Sequence, residues 1–96
     1  MKNLNEILSI LTKFKDKLKT KYNIKSLGVF GSYSRGDYTR DSDIDIIVEF
    51  EKPIGFEFID LADELEYILN NKVDLVSKKA IKPRYLDCID QEIIYV

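Results

Sequence analysis

Asp43 and Asp45 stand two positions apart at the head of the branched run Ile44–Phe50. Alternate residues of a strand share a face, so the two carboxylates point together, and like charges so placed repel unless a cation joins them. The pair Gly31-Ser32 precedes Asp43 by ten intervening residues. Glycine opens backbone angles closed to other residues and lets a phosphate approach the main chain, while the serine hydroxyl adds a donor beside amides that already favour anions. Hard oxygen ligands suit Mg²⁺, which keeps several waters and shares its other positions with substrate phosphates. Two such ions about 3.5 to 4 Å apart can hold the attacking and leaving oxygens of a phosphoryl displacement. A third carboxylate completes such a clamp and takes the proton of the attacking hydroxyl. Asp74 is the candidate, inside the apolar run Val73–Ser77 and on the face opposite Val73 and Leu75. A charge in that position costs free energy unless it has a partner.

Taken singly, each feature has a plainer explanation. Gly-Ser pairs punctuate ordinary turns, two aspartates can be a solvated strand start, and Asp74 can be an edge-strand charge. Their combination, in the order strand, turn and strand, is what points to a site. Asp41, Asp43 and Asp45 also alternate as in a calcium loop, which needs Gly at its sixth position and Glu at its twelfth. Those positions hold Ile46 and Lys52, so calcium is set aside.

The elements that must position these residues follow from periodicity. Leu4, Ile7, Leu8, Leu11, Phe14, Leu18 and Tyr22 recur at steps of three and four, which predicts one amphipathic helix with lysines on its wet side. Lys25 to Phe30 reads as a strand ending at Gly31, and Ser32 to Ser42 as a short helix and loop. Ile44 to Phe50 is the strongest strand, broken by Pro53 and Gly55. Phe58, Leu61, Ala62, Leu65, Ile68 and Leu69 predict a second long helix. Val73 to Ser77 reads as a third strand, Arg84 to Asp90 as a short helix after Pro83, and Glu92 to Val96 as a terminal strand. Helices interleaved with short strands imply an α/β two-layer domain, with residues 1–96 forming one unit.

The net charge of −2 argues against a protein that lives on nucleic acid through charge alone. The charge is divided: residues 1–40 carry nine basic and three acidic side chains, residues 41–96 six basic and fourteen acidic ones. That asymmetry suits a phosphate-facing basic half with a metal-collecting acidic half, although solvated helix surface explains charge blocks equally. Cys88 is alone, so no intrachain disulfide forms. No segment reaches the roughly 18 apolar residues of a membrane span, and the amino terminus lacks a signal-peptide pattern, so the expected location is the cytoplasm. Tyr33 and Tyr38 flank the phosphate turn, where base stacking and plain packing are both open. Lys78 lies one residue beyond the third strand, either solvated or turned to a phosphate.

Gly31-Ser32, ten residues, then Asp43-x-Asp45 resembles the signature of the polymerase β-like nucleotidyltransferase superfamily. The longer string Gly31 to Asp37, Gly-Ser-Tyr-Ser-Arg-Gly-Asp, resembles that of its minimal nucleotidyltransferase branch, whose members are commonly antitoxins of HEPN-type ribonuclease toxins. The similarity runs from about Ile24 to Val96; Ser34 departs from the more usual Ala. The resemblance implies a two-layer fold, a short mixed sheet with helices packed on it. It implies that Asp43, Asp45 and Asp74 bind Mg²⁺, with Asp74 as the base, and that Gly31 and Ser32 hold the β- and γ-phosphates of ATP. Arg35 matches the family's basic residue and would support the phosphates or the fold. The implied activity is transfer of AMP from ATP to a tyrosine hydroxyl of the toxin, with neither membrane nor nucleic acid as a partner. Masking of the toxin by binding alone is the alternative, with Phe56 and Tyr85 as interface. Transfer to a small molecule is a third reading, but it requires an acceptor domain for which no residues remain.

Overall fold

The computed structural model describes residues 2–96. Helix α1 spans Leu4–Tyr22, and Asn3 caps it in a reciprocal box: Glu6 N–H donates to the Asn3 side chain at 2.9 Å and the Glu6 carboxylate receives the Asn3 N–H. The helix stops at Asn23 because that residue takes the left-handed conformation, φ 55°. Strand β1 (Ile24–Phe30) runs into the short helix α2 (Gly31–Arg35), and β2 covers Ile44–Phe50. Helix α3 (Glu57–Leu69) ends at a second left-handed asparagine, Asn70. Strand β3 (Val73–Ser77), a 3₁₀ turn at Lys78–Ala80, α4 (Pro83–Asp90) and β4 (Ile94–Tyr95) complete the order.

The sheet order is β3-β2-β1-β4, with β1 antiparallel to both β2 and β4, and β2 parallel to β3. A parallel pair needs a crossover, and α3 supplies it. The expected mixed sheet with packed helices is what forms. Ile7, Leu11 and Leu18 of α1 and Leu61, Leu65 and Leu69 of α3 bury completely or nearly so against Leu27 and Val29 of β1 and Ile44, Ile46 and Val48 of β2. This apolar layer holds one face of the sheet. The alternate residues Asp45 and Asp74 therefore belong to the opposite face.

Predicted boundaries hold within a residue or two for most elements. The last strand is the exception, shrinking from the predicted Glu92–Val96 to two residues. Glu92 N–H bonds back to the Ile89 carbonyl and Ile93 N–H to that of Asp90, so the end of α4 uses the donors that a longer strand would need. β4 still docks closely, pairing Gly28 with Tyr95 and Val29 with Ile94. A Cβ on Gly28 would come within 2.7 Å of Ile93 Cγ2 and 3.2 Å of the Ile94 carbonyl oxygen. Gly28→Ala is accordingly expected to push β4 outward and lower stability by about 1 to 3 kcal/mol, read as a reduced denaturant midpoint.

Candidate active site

Two hydrogen bonds fix the start of β3, one to β2 and one to α3. Ile44 N–H donates to the Lys72 carbonyl at 2.9 Å, and Val73 N–H donates to the Glu66 carboxylate of α3 at 3.0 Å. The register that follows places Asp45 directly beside Asp74. Two acids 29 positions apart in the chain thus share one edge of the sheet, and Asp43, exposed just before β2, adds its charge to theirs. Asp74 is exposed rather than embedded in an apolar strand, so the expected cost of a charge there is small. Its position at the outer strand, on the face away from the helices, is the reason.

Asp45 is the half-buried member, and its carboxyl is pushed up to about 6. Burial is the largest cause, followed by the Asp74 carboxylate and then Asp43, with Arg35 pulling the other way. Gly31 is packed against this same carboxylate. Its φ is +72°, and a Cβ there would overlap Asp45 Oδ2, so both conformation and space exclude a side chain. Sequence reasoning assigned Gly31 to the phosphates; the structure adds that Gly31 leaves room for Asp45.

Helix α2 begins at Gly31 and closes at Gly36, φ 89°, where Gly36 and Asp37 N–H both donate to the Ser32 carbonyl. Ser32 is half-buried at the head of this turn. Arg35 projects from its end, with Nε on Asp37 at 3.2 Å and Nη1 on Glu92 at 3.3 Å. Glu92 also accepts the Gly31 N–H at 3.3 Å. Nothing in the sequence marks Glu92, which lies 61 positions from Gly31 and is brought in by the return of the chain to β4.

Other candidates fall outside. Lys78 lies past the far end of β3, with Nζ 3.4 Å from the Tyr95 hydroxyl and 3.9 Å from Glu49, so it does not approach the acids. Parallel pairing puts Ser77 beside Val48, three residues along the strands from Asp45. Tyr33 is fully buried and stacks on Tyr38 with ring centroids 4.3 Å apart, so packing explains this pair.

The donor set is composed of carboxylates, which fit a hard divalent cation. Among the described residues no three acid, cysteine or histidine side chains are grouped so as to hold a metal ion, so Asp43, Asp45 and Asp74 do not form a ready three-ligand set. The pair that the register does bring together, Asp45 and Asp74, suits Mg²⁺ in so far as that ion takes its other ligands from substrate and water.

Residues 11–96 match the family described as the nucleotidyltransferase domain. The chain belongs to that family. This nucleotidyltransferase is 49% identical over its whole length to a candidate protein adenylyltransferase of Methanocaldococcus jannaschii, covering all of that chain too. It is 43% identical to the protein adenylyltransferase MntA of Thermococcus cleftensis, across 100% of this chain and 98% of the other. A candidate minimal nucleotidyltransferase of known structure superposes with a TM-score of 0.84 at 29% identity, covering 97% and 95% of the two chains. A toxin-antitoxin crystal structure with AMP-PNP superposes with a TM-score of 0.71 at 27% identity, covering 86% of this chain and 69% of that one. The family membership and the minimal nucleotidyltransferase fold agree with the residues that suggested them. No helix among the described residues is long and apolar enough to cross a membrane.

Two outcomes follow from this geometry. The folded chain keeps the Asp45 proton up to about pH 6, whereas an unfolded carboxyl releases it near 3.8, so this group lowers stability as pH rises through that window. Asp45→Asn should therefore be more stable than the native chain at pH 7 by about 1 kcal/mol, solvent screening included, with the gap closing near pH 4 in thermal melts with chelator. Gly31→Ala should displace Asp45 and abolish nucleotidyl transfer, measured as pyrophosphate release.

Proposed function

We propose that this minimal nucleotidyltransferase transfers AMP from ATP to a tyrosine hydroxyl of a HEPN-type ribonuclease toxin, and so acts as the antitoxin of that pair. The observation that carries the reading is the placement of Asp45 beside Asp74 next to the Gly31 turn. The names of the relatives above support protein adenylylation, and the AMP-PNP-bound toxin-antitoxin structure supports a nucleoside triphosphate and a toxin as its partners.

Mg²⁺ held by Asp43, Asp45 and Asp74 would neutralise the triphosphate and favour departure of pyrophosphate. The Gly31 amide and the Ser32 hydroxyl receive the β- and γ-phosphates, and Arg35, fixed by Asp37 on one edge, offers its guanidinium to them. Asp74 is open to solvent, so the hydroxyl of a protein acceptor can reach it and give up its proton there. The tyrosine oxygen then bonds to the α-phosphorus as the bond to the bridging oxygen of the β-phosphate breaks, releasing pyrophosphate. A 96-residue chain offers little surface to enclose the acceptor, and the toxin supplies the remaining wall.

Masking by binding is the second reading, favoured by Phe56 and Tyr85, which are 87% and 52% exposed. One experiment separates the two. With ATP labelled at the α-phosphate, the native chain should label a HEPN partner, and Asp45→Ala should lower labelling by about 100-fold or more while leaving the complex intact. No label in a formed native complex would sink the catalytic reading. Full neutralisation of toxicity by Asp45→Ala would favour masking.

A further inference from the structure

We infer that Glu92 is an internal stand-in for a phosphate, an affinity-setting residue that holds the nucleotide's donors and yields them when the triphosphate arrives. The inference rests on the phosphate role proposed above for Gly31 and Arg35. The Gly31 N–H donates to Glu92 Oε1 at 3.3 Å, and Arg35 Nη1 lies 3.4 Å from Oε1 and 3.3 Å from Oε2. One main-chain amide at a turn and one guanidinium are what a terminal phosphate would take. The Gly31 amide has one hydrogen to give, and Arg35 meets Glu92 through Nη1 while Nε stays on Asp37, so a phosphate that took these donors would compete with the Glu92 carboxylate.

Three features let the carboxylate leave without dismantling the turn. The Glu92 main chain is held separately, because its carbonyl accepts the Ser34 hydroxyl and the next residues pair with β1 through Val29 and Gly28. The Glu92 side chain is 21% exposed, so it has a route to water. Arg35 keeps Asp37 on Nε while Nη1 is handed over, so the guanidinium stays where it is. Charge supplies the direction of the exchange. The Asp45 carboxylate also lies against Gly31, and a triphosphate arriving at this turn would add negative charge that repels the movable Glu92 carboxylate.

Removing the charge of Glu92 should therefore strengthen nucleotide binding, the opposite of what a scaffold role predicts. Glu92→Gln keeps the size and an acceptor oxygen, and calorimetric titration with Mg²⁺ and AMP-PNP should show Kd reduced roughly 3- to 10-fold. Magnesium tripolyphosphate, which has phosphates and no base, should gain similarly, while AMP should not gain. The ligand-free variant should melt slightly lower than the native chain, since an ion pair is lost. Glu92→Asp, which draws the charge back by one methylene, should move Kd in the same direction by less. Unchanged or weaker binding of AMP-PNP by both variants would overturn the inference. Failure of the native chain and both variants to take tripolyphosphate would overturn the phosphate role of Gly31 and Arg35 first, and this inference with it.

Discussion

The pairing of β2 with β3 is the constraint on which the site depends. Main-chain hydrogen bonds between two parallel strands bring Asp45 and Asp74 side by side. An ionised Asp45 resists that arrangement, its carboxyl being raised first by burial and then by the Asp74 and Asp43 carboxylates. The apolar layer behind them overcomes the resistance: Ile44, Ile46 and Val48 of β2 lie fully buried against α1 and α3. Hydrophobic burial on one face of the sheet thus holds like charges together on the other.

The remainder of the site is arranged around that strained pair. Gly31 gives up a side chain to make room for Asp45, and its left-handed backbone turns β1 directly into α2. Arg35 and Asp37 sit within one turn of that glycine, so the positive charge nearest the acids is local in sequence. The helical layer contributes at a distance, since Glu66 of α3 caps the first amide of β3 and so settles where Asp74 stands. Stability and the proposed chemistry compete at Asp45, because the burial that makes its charge costly would be offset by a bound cation.

A small domain gives each residue near its surface more than one duty. Glu92 belongs to the segment that closes the sheet, yet its carboxylate accepts the Gly31 N–H at the head of α2. Ser34, noted in the sequence only as a departure from the more usual alanine, ties that segment to α2 through its hydroxyl. The departure thus has a structural consequence: an alanine would lack the donor that meets the Glu92 carbonyl.

Much of this was legible in the order of residues. The helical spacing of Leu4 to Tyr22 and Phe58 to Leu69 and the branched run Ile44 to Phe50 are local properties, expressed by side-chain periodicity and backbone preference alone. So is the Gly31-Ser32 to Asp45 motif, whose parts lie within fifteen residues and on adjoining elements. The fate of Lys78, the burial of Tyr33, the exposure of Asp74 and the approach of Glu92 were not legible. Each depends on which strand lies beside which and where the chain returns, and sequence spacing carries no such distance. Local patterning determined the elements and the chemistry-bearing types; only tertiary packing decided which charges meet, because hydrogen-bond register and a shared apolar core act between residues far apart in the chain.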